Sequence, residues 1–444
     1  MKYFYKMNIL IHRWIFPFMA LLIACTVSCR KVKDEKFPVI SVTQPGNGAI
    51  YSVGDTIEFE AVISDESHLN TIQVTLIDVD NKPVLPPIIG VPSSTTFIFK
   101  GQYIIDDFML ASGNYQLMFQ ADDGYNTSKK FIDIQLFSPS QKLLYPVIVT
   151  HQDSKDWKVW KLDSFTNGDG NWKQIFVQSG DYSGSIVNSA TSQFYICGKS
   201  TSALTSLHLP DGAFQWQVKT QQNVISRYFE GMALRYPLLY ISLFNGYISG
   251  IDKNGIQQYK TDTYSNTIPG KISITNSFVI GNFTDAFMNQ HFLVAFYKQG
   301  GHLVLSRFIP DEVVDMFPIG NEEILIIGNT NGQGTISSFD AAENRFIRLY
   351  TFYEGEFRKA AAMDKYNFIV LSTTGIFHYK LNINSLTPFI ESQGNECMTC
   401  NPVDQQVFIG SGKLLRIINF PLGPLQKSYT LPDTITDINL VFNK

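Results

Sequence analysis

Gly231-Met232-Ala233-Leu234, Leu238-Leu239-Tyr240-Ile241-Ser242, Gly246-Tyr247-Ile248-Ser249-Gly250-Ile251-Asp252 and Ile256-Gln257-Gln258-Tyr259 follow one another with no helical interval. Each run is short and draws on the β-branched and aromatic residues that suit a pleated sheet. Asn245-Gly246 and Asn254-Gly255 separate the later runs. Asn-Gly tolerates the positive φ angles of a two-residue hairpin turn. The stretch therefore predicts a four-stranded antiparallel unit. Its second strand ends on a large apolar residue followed by a small one, and that pair recurs: Val149-Thr150, Ile196-Cys197, Ile241-Ser242, Ile280-Gly281, Ile327-Gly328, Leu371-Ser372 and Ile409-Gly410. The intervals are 47, 45, 39, 47, 44 and 38 residues, with a mean of about 43.

A repeat of roughly 40–50 residues carrying four strands is the signature of a β-propeller blade. The 304 residues from Gln141 to Lys444 hold about seven such units, matching the number of repeated pairs. The ends agree in phase. The region opens on a strand of the second type, Leu144–Val149, and closes on one of the first type, Thr436–Phe442. The last strand is expected to complete the first blade and leave no free sheet edge. The prediction is a seven-bladed propeller over residues 143–444. Leu239-Tyr240-Ile241-Ser242, Asn245-Gly246-Tyr247-Ile248, Ile251-Asp252 and Gly255-Ile256 resemble the repeat of quinoprotein-dehydrogenase-like and YVTN/WD40-like propellers. Quinone-dependent members use adjacent cysteines, a Trp floor and a Ca²⁺ site. This chain has no adjacent cysteine pair and no recurring Trp, so no cofactor is carried over.

Upstream, the pattern is period two. Ile57, Phe59, Ala61 and Ile63 alternate with Glu58, Glu60 and Val62, and Tyr115, Leu117, Phe119 and Ala121 do the same. Short alternating strands between turns such as Pro45-Gly46-Asn47-Gly48 predict a β-sandwich over residues 37–137. Gly54-Asp55-Thr56-Ile57-Glu58-Phe59, Ser64-Asp65, Leu69 and Ile72-Gln73-Val74 resemble the immunoglobulin-like modules of bacterial surface proteins, which act as spacers or adhesion units. Residues 138–142 read as a polar linker.

Residues 1–29 read as a secretory leader. Lys2, Lys6 and Arg13 precede Trp14–Val27, an apolar run too short to span a bilayer. The run ends at two lipobox-like cysteines, Leu22-Ile23-Ala24-Cys25 and Thr26-Val27-Ser28-Cys29. The charged tether 30–36 favours Cys29 as the acylated residue, with Cys25 the alternative. Arg30-Lys31-Val32-Lys33-Asp34-Glu35 resembles the export signal of Bacteroidetes-type surface lipoproteins. The expected location is the outer membrane, held by lipid and facing periplasm or exterior.

Hydrophobic residues make up 44% of the 444 and charged residues 17%, which excludes a disordered chain. Loss of the leader with its three cations would take the net charge from −4 to −7, which argues against a nucleic-acid partner. Candidate functional residues are sparse. Asp65, Asp122 and Asp123 have the oxygen chemistry for Ca²⁺, but also that of turn residues bonding their own backbone. Trp157, Trp172 and Trp216 could stack on sugar rings or pack between sheets. Thr166–Trp172 is expected to be a hairpin loop. Cys397-Met398-Thr399-Cys400 lacks the further ligands of a zinc site and reads as two structural thiols. No histidine falls in a metal-binding spacing, and no catalytic residue is assigned. The expected role is non-catalytic binding of a protein or glycan through the propeller. The alternatives are a glycan lyase or hydrolase, a quinoprotein-like dehydrogenase, or a scaffold subunit of an envelope complex.

Overall fold

The structure, a computed structural model, describes residues 36–105, 110–138, 140–151, 156–163, 170–219, 228–285, 287–391 and 396–443. The leader, Cys25, Cys29 and most of the 30–36 tether lie outside the described residues, as does most of the Thr166–Trp172 loop. The chain is all-β, and among the described residues the only helices are the single 3₁₀ turns Ser189–Thr191 and Leu381–Ile383. It divides into two compact units between Ser140 and Gln141.

The first unit is a sandwich. Val39–Gln44, Thr56–Ser64 and Thr96–Ile104 form one sheet. The other has the order Ala49–Ser52, Thr127–Phe137, Gly113–Asp122, Thr71–Ile77, Ile88–Gly90, with Ala49–Ser52 parallel to its neighbour. The period-two pattern sets the faces. Ile57, Phe59, Ala61 and Ile63 meet Ile72, Val74, Leu117 and Phe119 in one core, while Glu58 lies outside.

The second unit contains, among the described residues, seven four-stranded antiparallel sheets. The innermost strands are Gly184–Asn188, Phe229–Arg235, Thr267–Ile274, Glu312–Pro318, Phe357–Ala362, Glu396–Asn401 and Thr434–Phe442. Each touches the next, and Thr434–Phe442 touches both Glu396–Asn401 and Gly184–Asn188, so the series closes on itself as a β-propeller. Its apolar side chains form seven clusters, one for each pair of neighbouring sheets.

The small residue of the repeat has a steric cause. A Cβ on Gly410 would lie 2.6 Å from Ile435 of the next sheet and 2.8 Å from Cys397 Sγ. A Cβ on Gly281 would lie 3.0 Å from Ile248 of the preceding sheet. The closing strand pairs antiparallel with Leu143–His151, matching Asp437 to Val149 and Phe442 to Leu143. It begins two residues earlier than the sequence pattern indicated. It also extends past its end, where Asn443 N–H donates to Lys142 O and Lys142 N–H to Asn443 Oδ1. Ile438 and Leu440 pack toward one neighbouring sheet and Val441 toward the other, so the strand is buried on both faces.

Candidate functional site: the axial channel

Five inner strands carry a bulge beside the repeated small residue: between Phe229 and Gly231, Pro269 and Ile272, Val313 and Asp315, Phe357 and Lys359, and Ile435 and Asp437. A bulge breaks the alternation of faces and re-aims the next side chain. Asp315, Lys359 and Asp437 each follow such a bulge. Each pairs with the large apolar residue of the repeat, respectively Ile327, Leu371 and Val149. The bulges thus lift Lys359 and Asp437 off the inter-sheet cores and into the axial cavity, and set Asp315 against Lys271 of its lining. That cavity measures about 510 Å³, with Ser185, Met232, Lys271, Lys359, Met398 and Asp437 among its lining.

Lys359 Nζ lies 3.0 Å from Asp437 Oδ1. Tyr182 OH and Ser185 Oγ donate to Asp437 Oδ2 at 2.8 and 3.0 Å, and Asn439 Nδ2 donates to Ser185 Oγ at 2.7 Å. Farther round the ring, Lys271 Nζ lies 2.9 Å from Asp315 Oδ1, while Asp315 Oδ2 accepts from Ala360 N–H at 2.8 Å. Lys271, Asp315, Lys359 and Asp437 come from four sheets and alternate in sign around the channel. The carboxylates are largely covered, at 18% exposure for Asp315 and 17% for Asp437. The amines reach toward solvent, at 49% for Lys271 and 34% for Lys359.

Burial alone would raise the Asp437 pKa, but the adjacent Lys359 charge and the Tyr182 and Ser185 donors outweigh it and hold the carboxyl below its ordinary range. Burial works to lower the Lys359 pKa, yet the Asp437 charge raises it above normal. Burial, and then the Asp437 charge, push Tyr182 well above the usual phenol value. The thiols shift the same way: burial carries Cys397 up to about 12 and Cys400 and Cys197 well above the ordinary range. All three thiols are free. Cys397 belongs to the core toward Thr434–Phe442 and Cys400 to the core toward Phe357–Ala362, on opposite faces of their strand.

The tryptophans do not form one surface. Trp157 stacks on Tyr182 at 4.6 Å and donates to Gly180 O, which places it behind the Asp437 network. Trp172 meets Tyr429 edge-on. Trp216 lies against Tyr195 and donates to Lys253 O. The three aspartates serve their own turns. Asp65 Oδ1 accepts from Ser67 and His68 N–H, Asp122 Oδ1 from Gly124 N–H, and Asp123 Oδ1 from Tyr125 and Asn126 N–H. Among the described residues no group of three or more His, Cys, Asp or Glu side chains is placed to hold a metal ion.

Composition and motif spacing do not single out Asp437, Lys359, Tyr182, Ser185, Lys271 or Asp315. A signal was present in the runs Val313-Val314-Asp315-Met316-Phe317 and Ile435-Thr436-Asp437-Ile438, where a lone charge interrupts an apolar strand. Other buried acids have structural roles. Glu396, Asp311 and Asp433, at the leading ends of inner strands, pair with Arg416, Arg348 and Lys158 at 2.7, 2.6 and 2.9 Å.

The described residues define a two-unit all-β protein whose second unit is a β-propeller with a polar, charge-alternating channel. No family model matches the chain, and no curated protein does. Solved structures similar to it include a quinoprotein alcohol dehydrogenase-like protein from Bacteroides thetaiotaomicron, at 12% identity over 91% of this chain and 99% of that one, with a TM-score of 0.44. BamB from Moraxella catarrhalis is 13% identical over 67% of this chain and 91% of that one, TM-score 0.41. The WD40 domain of Neurospora crassa Pan2 is 10% identical over 58% and 81%, TM-score 0.47. The likeness is one of fold, and the propeller assignment rests on the sheet order and closure described above.

Proposed function

We propose that this chain is a lipid-anchored, non-catalytic binding protein of the outer membrane. Cys29 (or Cys25) carries the lipid, an immunoglobulin-like sandwich at 37–137 serves as spacer, and a seven-bladed propeller at 143–444 binds a protein or glycan at its axial channel. The observation that carries the non-catalytic reading is that the Asp437 and Asp315 carboxylates are already engaged, Asp437 by Lys359, Tyr182 and Ser185 and Asp315 by Lys271 and Ala360 N–H, and the shifts in the channel run the same way. A general acid or base works best with a pKa near the operating pH. Here the carboxyl of Asp437 goes down while Lys359, Tyr182 and the neighbouring thiols go up, each away from neutrality. Such groups keep fixed charges and fixed hydrogen bonds, which suits recognition.

The test places a photo-crosslinking residue at Lys271, which is exposed in the channel, and irradiates intact cells. The expected result is a discrete adduct to an envelope protein or glycan. In parallel, the purified chain should release no sugar from polysaccharides and reduce no dye when given a quinone cofactor and alcohols. Turnover that disappears in Asp437→Asn would overturn the non-catalytic reading.

A further inference from the structure

A second cavity, of about 540 Å³, lies on the first unit. Its floor is the outer face of the five-stranded sheet, where Asn114 and Gln116 alternate with the core residues Tyr115 and Leu117. Across the ladder Asn114 faces Gln135 and Gln116 faces Asp133. Gln116 Nε2 donates to Asp133 Oδ1 at 2.7 Å. Both walls are preorganised. The Asp78–Lys82 turn, which brings Val79 and Asn81 to the rim, is held by Asp78 Oδ1 accepting from Asp80 and Lys82 N–H. The Asn47-Gly48 turn is tied to the floor by Gly48 N–H donating to Asp133 O and Asp133 N–H donating to Asn47 Oδ1.

The side-chain amides of Asn81, Asn114 and Gln135 make no hydrogen bond among the described residues, although they line the same cleft. Each amide offers two donors and one acceptor, the mixture that a hydroxyl, itself donor and acceptor, can satisfy from either side. No lysine or arginine lines the cleft, and its only charge is the Asp133 carboxylate, so phosphate or uronate ligands are disfavoured. Val79, 76% exposed at the rim, offers an apolar surface for ring C–H groups. The volume lies within the range of small-ligand sites.

We infer that this cleft is a glycan-binding site for neutral sugars, so that the first unit is a recognition module as well as a spacer. The test is native affinity electrophoresis of the full chain in mild detergent, through gels containing amylopectin, mannan, xyloglucan or laminarin, with polygalacturonate as the anionic comparison. At least one neutral polysaccharide should retard the protein, and the Asn114→Ala, Gln135→Ala double variant should weaken that retardation about tenfold with its melting temperature unchanged. Both residues are exposed, so the fold does not depend on them. Lys271→Ala, in the propeller channel, is run beside them. Retardation lost only in Lys271→Ala would place the sugar at the propeller and overturn this site while leaving the channel reading intact. Retardation by polygalacturonate alone, none by any neutral polysaccharide, or none that responds to the double variant would also overturn it.

Discussion

At Asp437, three side-chain donors converge on one carboxylate, and the consequence is a specific pH dependence. Its folded pKa lies below the unfolded value of about 3.9, so its contribution is complete above that value and is lost as pH falls through the folded pKa. Lys359 behaves oppositely: its folded pKa is raised, so its contribution is complete below about 10.4 and is lost as pH rises through the folded value. Asp437→Asn should therefore melt earlier than the parent at pH 7, by about 1–3 kcal/mol for a charged hydrogen-bonded group in a partly open site. The gap should shrink as pH falls below about 4, where the unfolded chain's carboxyl takes up its proton, and close as pH passes through the lower folded value. Melting curves across pH check this, and a gap that stays constant into acid would refute it. The thiols give a second prediction. Buried Cys197, Cys397 and Cys400 should resist a thiol reagent at pH 8 in the folded chain and all react once it is denatured. A variant with serine at positions 25 and 29 isolates the signal. Fast native labelling at Cys397 would contradict the packing described for it.

Between strands, energy is decided by crowding at the repeated small residue. Gly410→Ala places a methyl 2.6 Å from Ile435 and 2.8 Å from Cys397 Sγ, and overpacking of that kind costs about 1–3 kcal/mol. A denaturation midpoint equal to the parent's would show that the interface yields freely. The closing strand is the larger test. Removing 434–444 deletes the buried Ile435, Ile438, Leu440 and Val441, each contributing about 1.5–3 kcal/mol, and exposes the edge of Leu143–His151. The truncated chain should aggregate or unfold, whereas removing only Asn443 and Lys444 costs the two hydrogen bonds to Lys142, about 0.5–1.5 kcal/mol each. A soluble truncation at 434 with unchanged melting would refute the closure. These features were legible in the sequence because they are local: Asn-Gly turns, two-residue alternation, and a small residue every 43 or so positions. The channel was not. A bulge at Arg358 shifts the alternation by one, so period two alone misplaces Lys359. Lys359 then reaches Asp437, 78 positions away and two sheets on, and no local pattern encodes that pairing. The tryptophans take the second of the two roles their sequence positions allowed, packing between sheets. Trp157, Trp172 and Trp216 are close in sequence but meet Tyr182, Tyr429 and Tyr195, in different inter-sheet spaces.

For the molecule as a whole, the two units differ in how their cores are built, and their unfolding should differ accordingly. The first has a single core shared by two sheets, whereas the second has seven clusters linked only through neighbouring sheets and the closing strand. Each core lies wholly on one side of the Ser140/Gln141 division. Cores that lie, among the described residues, each within its own unit predict two calorimetric transitions, with limited proteolysis cutting first within the polar segment 138–142. The residues from Gln141 onward should then fold alone and reproduce one transition of the full chain at the same temperature. The start matters, because Lys142 carries the hydrogen bonds that hold Asn443 at the closing seam. A fragment beginning at Leu143 should consequently melt below one beginning at Gln141, although both keep all seven clusters. If the Gln141 fragment is unfolded while the full chain is folded, or if the full chain melts in one transition that Asp437→Asn moves as a whole, the units are not independent.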